Sequence, residues 1–525
     1  MPQKEIEFPQ FNLWTDAWIQ LEKPEGGKVH LGIEQALLNA HLYNGIYEAS
    51  PLFIVGIHRL LTAILQFILA PNKEAELIKL WNIPNLPSEK IMQFGQKYAH
   101  RFDLFSVDEP FYQSADVPIE PHKGDNLKSV AYLAHDIPSG TQQTHYHHGN
   151  EDDQCFCPVC LAGGLVSLPA FSTSGGRGIK PSINGVPPLY VIPGGKTLLE
   201  SLMLSLTLPD YQPQVRSTGE DLAWWVRKPI VPRNSEVISV GYLHSLTFAT
   251  RRVRLFPERM DTACTRCGVQ THWGVRKVIF EMGECRPKKS PAWFDPFAAY
   301  HIREKGVPVP VRPIEGKATW REFGNLFLKF KEEPASGKKY NDKHVRPSVL
   351  DQISVLTEGD KVNLPVRCVG MRTDMKAKIF EWIDTGFEIP IDLLRDLEKA
   401  YWLEKGLSFS TDAERSIANA FRKSFGGKNL KKQERYSTLK NNMINQYWNS
   451  LSVPFRKWVL ELSASSQPKE LYQKWINQVI RVGQQVFSAT MNSMNDDAVN
   501  LRKRVQGEQT CNAYLLFLKN KEVKV

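Results

Sequence analysis

From about Pro390 onward the chain nearly stops using proline and glycine, and that change of character constrains its architecture more than any single motif. Five segments follow one another there: IDLLRDLEKAYWLEKG, TDAERSIANAFRKSF, RYSTLKNNMINQYWNSL, PKELYQKWINQVIRVGQQVF and DDAVNLRKRVQGEQTCNAYLLFLK. Tyr472, Ile476 and Ile480 recur at intervals of four, which sets them on one helix face. Thr411 and Glu414 have the spacing of a capping box, so a helix is expected to begin at Thr411. Helices of this kind with short connections pack as an antiparallel bundle.

Upstream, from Phe11 to about Val366, the pattern is different. Runs such as SVGYLHSLTFATRRVRLF (239–256) and KVIFEM (277–282) read as strands and alternate with helices and proline or glycine turns. The expected fold class is therefore α+β: a large mixed α/β body over residues 1–385 with a zinc-stapled region, then an all-α four-helix bundle over 386–525. A chain of 525 residues exceeds one hydrophobic core, which agrees with two domains.

The most apolar segment, Leu52 to Ala70, is long enough to raise the question of a membrane span. It carries His58, Arg59 and Gln66, and an arginine near the centre of a span costs about 2.5 to 3.5 kcal/mol. A buried helix with no membrane is the expectation. The N-terminus has no basic region followed by an apolar core, so a cytoplasmic protein is expected.

Eight cysteines in a chain of this kind point to metal or spare thiols and not to a disulfide framework. Four fall in two Cys-x-x-Cys pairs, Cys157/Cys160 and Cys264/Cys267, and two such turns complete a tetrahedral zinc shell. About a hundred residues separate the pairs, where the usual template has roughly 15 to 20. Such a site would staple two distant parts of one domain. With four thiolates it would be closed and structural, and Cys155 is an alternative to Cys157 as ligand. Cys285, Cys368 and Cys511 have no partner spacing and are read as packing residues.

The chain carries few residues arranged for reaction chemistry. PGGKT, Pro193 to Thr197, imitates the end of a phosphate-binding loop, but Tyr190 stands where that pattern needs glycine. His145, His147, His148, Glu151, Asp152 and Asp153 are metal-binding types crowded into one polar loop, without a rigid face to present them. Asp108 and Glu109 are adjacent acids before Pro110 and read as solvated. The formal charge of +10 favours polyanionic partners only weakly. Its densest part is Phe421–Lys440, where Arg422, Lys423, Lys428, Lys431, Lys432, Arg435 and Lys440 face the single acid Glu434, a candidate phosphate contact.

Five features in order carry a family resemblance: FNLWTDAWIQL, FDLFSVDEPFYQ, the stretch from CPVC through GGRGIKPSINGVPPLYVIPGGKTLLESLMLSLTLP, CTRCG, and the helical tail. Together they resemble the CasA family, the large subunits of type I-E CRISPR Cascade. The resemblance implies a non-catalytic, nucleic-acid-binding subunit with an α/β body and a C-terminal four-helix bundle. Its partners would be the guide-RNA-bound Cascade backbone and small subunits, double-stranded target DNA and a helicase-nuclease. Its tasks would be reading the protospacer-adjacent motif through the minor groove, helping to open the duplex, and antiviral recruitment.

Residue by residue, the resemblance implies that the glycine loop Gly175, Gly176, Arg177 and Gly178 meets the minor groove. Lys180 follows as a phosphate contact. Lacking Cβ atoms, the glycines let backbone approach base edges; Arg177 replaces a glycine of the family pattern and either reads a narrow groove or blocks close approach. The wedge hairpin falls on GMRTDMKAKI, with Thr373, Asp374, Met375 and Lys376 at its tip. The lysine finger falls in ECRPKKSP, on Lys288 or Lys289, with Arg286 as a weaker alternative. Tyr146 and His148 in THYHHGN match the loop that docks at the 5′ end of the guide RNA or on a neighbouring subunit. Two other classes stay open: a metal-dependent nuclease on the histidine-rich loop, and a zinc-stapled scaffold protein.

Overall fold

The structure is a computed structural model that describes residues 9–122, 125–136, 153–174, 179–213, 221–238, 240–287, 290, 293–302, 307–314, 318–328, 343–357, 363–373, 379–425, 434–494 and 498–523. Contacts divide the chain into two compact units. One comprises Met1–Pro313, Tyr340–Glu358 and Leu364–Glu388; the other comprises Ile314–Lys339, Gly359–Asn363 and Ile389–Val525.

The first unit mixes helices with several small sheets. Its spine is the apolar segment, now a helix over Pro51–Leu69 whose residues from Pro51 to Gln66 are all buried. It packs on the helix Pro158–Phe171. Gly56 allows the close approach: a Cβ there would sit 2.8 Å from the Val166 carbonyl oxygen. The polar residues that argued against a membrane span each find a partner. Arg59 reaches both carboxylate oxygens of Asp295, at 3.2 and 2.9 Å. Gln66 exchanges two hydrogen bonds with the Thr207 backbone, at 3.1 and 3.0 Å. His58 Nε2 is 2.8 Å from Ser205 Oγ, and because Ser205 gives its own proton to the Ser201 carbonyl, His58 is the donor. Burial, with Arg59 beside it, pushes the His58 pKa down to about 3, so the ring is neutral.

The longest sheet is built on the hairpin Arg251–Ala263 and Gln270–Met282, paired antiparallel, with Leu127–Ser129 on the other edge of the second strand. KVIFEM lies within it as expected. The upstream half of the other run does not: Tyr242–Leu246 is a short helix, and the strand begins only at Arg251. The reason is tertiary. The Asp221 carboxylate accepts from the amides of Leu243 and His244 at 2.9 and 2.8 Å and caps a helix that local β-propensity disfavours. A second sheet runs Ile379–Pro390, Asn363–Thr373, Tyr190–Pro193.

The second unit is helical at its C-terminal end, with Leu397–Ser424, Glu434–Ala464, Pro468–Asn492 and Ala498–Val523. The first of these packs on each of the other three. The expected helix start at Thr411 is wrong. Leu397–Ser424 runs through it, Thr411 Oγ1 donates to the Leu407 carbonyl at 3.1 Å, and the cap is Asp396, which accepts from the amides of Glu398 and Lys399. Tertiary packing overrides the local signal. Trp458 and Trp475 stack at 4.7 Å against Gly406, Trp475 Nε1 donates to the Gly406 carbonyl, and Tyr447 donates to the Ser410 carbonyl. On Pro468–Asn492, Tyr472 and Ile476 are buried as the spacing predicts, while Val479 takes the core position and Ile480 is half-buried.

Candidate metal centre and nucleic-acid interface

The two Cys-x-x-Cys pairs come together. Cys157 is the N-terminal cap of the Pro158–Phe171 helix and Cys160 lies in its first turn, where the helix dipole favours a thiolate. Cys264 and Cys267 form the knuckle between the two long hairpin strands. The knuckle is held by Gly268 N to Cys264 O (2.8 Å) and Cys264 N to Val269 O (2.9 Å). Gly268 has φ +75°, which turns the chain back at no steric cost.

The four Sγ atoms lie within 4.8 Å of one another. Two edges of the cluster, Cys157–Cys267 and Cys160–Cys264, are both 3.7 Å long. Four sulfurs 2.3 Å from a central ion would stand about 3.8 Å apart, so the donor set fits a tetrahedral metal. All the cysteines are free thiols. The Cys264 thiol is pushed well down by hydrogen bonds from Cys157 and Cys160, whereas Cys160 is pushed up by its bonds to Cys157 and Cys264. Cys155 is turned elsewhere, with Sγ 3.1 Å from Met260 Sδ, so Cys157 and not Cys155 belongs to the four-sulfur cluster.

The knuckle also grips its surroundings. Arg266 lies 3.6 Å from Cys160 Sγ, pairs with Asp136 at 3.0 Å, and covers the Phe53 ring at 4.0 Å. Thr265 N donates to the Cys155 carbonyl at 2.9 Å, and Thr265 Oγ1 accepts from Cys155 N at 3.0 Å. Asp136 and Cys155 flank the segment that carries Tyr146 and His148, so one knuckle holds both sides of it. Sequence reasoning missed Arg266 and Thr265; their position between Cys264 and Cys267 was the available signal.

Most nucleic-acid candidates lie outside the described residues: Gly175, Gly176, Arg177, Gly178, Tyr146, His148, Lys288, Lys289, Asp374, Met375 and Lys376, together with His145, His147, Glu151, Asp152 and the basic residues 428, 431 and 432. What flanks them is described. Lys180 Nζ is 3.2 Å from Glu236 Oε1 and 3.4 Å from Cys285 Sγ, and Glu236 pushes its pKa up, so it stays a cation. Arg286 is half-buried with its guanidinium 5.8 Å from the Trp293 ring. Thr373 ends the strand Asn363–Thr373, whose hydrogen-bonded neighbour is Ile379–Pro390; Arg367 and Asp384 link the two at 2.8 and 2.6 Å. Asp108 and Glu109 line a cleft of about 880 Å³ with Asp16, His100 and Asp103, and Glu109 meets His100 at 3.2 Å.

The family model described as CRISPR-associated protein Cse1 matches residues 12–486. The curated protein CasA/Cse1 of Thermus thermophilus is 25% identical over 526 residues, covering 95% of this chain and 96% of its own. The crystal structure of Thermobifida fusca Cse1 superposes with a TM-score of 0.78 at 21% identity, covering 98% of both chains. A chain of a CRISPR RNA-guided surveillance complex superposes with a TM-score of 0.73 at 18% identity, covering 96% of this chain and all (100%) of its own. At these identities the superpositions speak to the fold.

Proposed function

Because the chain belongs to the CRISPR-associated Cse1 family, we propose that it is the large subunit of a type I-E Cascade, a cytoplasmic RNA-guided complex. There it reads the protospacer-adjacent motif in double-stranded DNA, helps open the duplex and recruits a helicase-nuclease. The observation that carries this is the family match over residues 12–486, reinforced by a curated CasA/Cse1 relative aligned over 95% of the chain.

The work is divided. Guide pairing supplies most of the sequence specificity, and the subunit checks a short duplex motif and tips a nearly balanced strand exchange. Gly175, Gly176 and Gly178 bring backbone to the minor groove, Arg177 enters or limits that approach, and Lys180 meets phosphate. Met375, with Asp374 and Lys376, is the wedge that unstacks the neighbouring base step, which costs a few kcal/mol. Lys288 or Lys289 reaches minor-groove acceptors. Tyr146 and His148 dock on the guide RNA or a neighbouring subunit. The C-terminal helices act as a four-helix bundle that contacts DNA and the small subunits. No step requires turnover by this chain. Zinc, held by Cys157, Cys160, Cys264 and Cys267, supplies a cross-link and no reaction chemistry.

The test is binding by a reconstituted guide-RNA complex with and without this chain, on duplexes that differ only in the adjacent motif. Discrimination and opening that appear only with the chain support the proposal; no change in either overturns it. Changing Met375 and Lys376 together to glycine is expected to impair opening of duplex targets and spare single-stranded ones. Equal loss on both would remove the wedge assignment.

A further inference from the structure

Two sides of the glycine-rich stretch meet on one buried guanidinium. Arg251 begins the strand Arg251–Ala263 and is 4% exposed. Its Nη2 donates to the Thr173 carbonyl and its Nη1 to the Lys180 carbonyl, the latter at 2.9 Å. Just outside these positions, Ser182 N donates to the Ser172 carbonyl at 2.9 Å. The chain therefore enters and leaves the stretch through a narrow neck, paired backbone to backbone at 172 and 182 and bridged by a side chain at 173 and 180. Downstream, the neck is anchored by Asn184, whose Nδ2 donates to Asp295 at 3.2 Å and whose Oδ1 accepts from Tyr300 at 3.0 Å.

The cost of placing Arg251 here makes its role informative. Among the described residues no carboxylate pairs with it; its other oxygen partners are the Thr250 carbonyl and hydroxyl, at 2.9 and 3.0 Å. A buried cation without a counterion is unfavourable unless its protons are taken up. Burial alone accordingly drives its pKa down. The Nη protons are taken up by oxygens, the carbonyls from both sides of the neck among them, while Nε has no hydrogen-bond partner among the described residues. A planar guanidinium can address two diverging carbonyls at once from a fixed position, whereas an ammonium acts as a point.

We infer that Arg251 is the positioning residue of the glycine-rich stretch: by tying the Thr173 and Lys180 carbonyls together it sets where that stretch leaves and rejoins the body. The functional part of this rests on the proposal that the stretch meets duplex DNA. Holding the ends in place lowers the ordering cost of binding. If the neck opens and only a fraction of molecules is competent, the apparent affinity falls by that fraction.

The test begins with no nucleic acid present. Arg177 is a trypsin site inside the stretch, so the rate of cleavage after it in the full-length chain reports the neck directly. Arg251→Met is expected to raise that rate about tenfold, measured well below the variant's own melting temperature, as local opening becomes cheaper. Where Arg251→Met does not fold, Arg251→Lys, which keeps the charge and the stem, is read in the same way. An unchanged cleavage rate overturns the inference. In the reconstituted guide-RNA complex the same variant is expected to lose about tenfold in motif discrimination, with single-stranded target affinity unchanged. Gly176→Trp is the parallel insult to the stretch itself. If it leaves discrimination intact, the DNA-contact proposal fails while the cleavage result still stands. If it abolishes discrimination and Arg251→Met does not lower it, the positioning role fails.

Discussion

The Sγ atoms of Cys157 and Cys267 stand 3.7 Å apart although 110 positions separate them in the chain. That is far beyond the roughly 2.05 Å of a disulfide and close to the edge of a tetrahedral thiolate shell. The purified chain is expected to carry about one equivalent of zinc. Cys160→Ser should retain less than half of it and melt at a lower temperature, and a chelator should reproduce that shift in the unmodified chain. Elemental analysis with parallel melting curves decides; a metal-free chain indifferent to chelator would remove the site.

Glu284 accepts from Arg227 at 2.8 Å and the Ala249 amide at 3.0 Å, and lies 3.0 Å from His244 Nε2. Burial pushes its pKa up, but the His244 hydrogen bond and the Arg227 charge outweigh it and hold the carboxyl at about 2, below its ordinary 4.5. A depressed folded-state pKa contributes stability that is complete above about 4.5 and lost as pH falls toward 2. Glu284→Gln should cost about 3 kcal/mol at pH 7 and flatten the acid limb of the urea stability profile. A parallel profile would count against the assignment.

Glu404 has the opposite sign. Burial, then the Glu322 carboxylate, raises its pKa from 4.5 to about 7. The stability contributed by its neutral form is complete below about 4.5 and lost as pH rises through about 7. Glu404→Gln should match the parent at pH 4 and exceed it by about 3 kcal/mol at pH 8. Denaturant unfolding at the two pH values tests this, and an equal difference at both would refute it.

Asp396 and Thr411 separate a real cap from an apparent one. Asp396→Ala removes the carboxylate oxygen that accepts from two backbone amides and should cost about 1 kcal/mol, whereas Thr411→Ala, in mid-helix, should stay within about 0.5 kcal/mol. Chemical denaturation of both variants gives the comparison. The reverse order would reinstate a helix start at Thr411.

These contrasts mark how far local reading reached. The tail was recognisable as helical because apolar spacing and the scarcity of proline and glycine act over a turn or two of chain. The run KGLSFSTD suggested a break there, and the stacked Trp458 and Trp475, from two other helices, cancelled it. The cysteine pairs declared themselves by a spacing of three, which a single knuckle enforces. Arg251 was unreadable, since an arginine in RRVRLF looks solvent-facing until the Thr173 and Lys180 carbonyls are placed around it.

The sequence by itself determined what depends on near neighbours: helix or strand period, knuckle spacing, the buried character of the Pro51–Leu69 helix, and the ordered motifs of the family. Only the tertiary structure decided which distant groups satisfy Arg59, Arg251, Arg266 and Glu284. The physical reason is that a buried polar group is stable only with a partner, and no local pattern records which carbonyl or carboxylate, dozens or hundreds of positions away, the fold will bring to it.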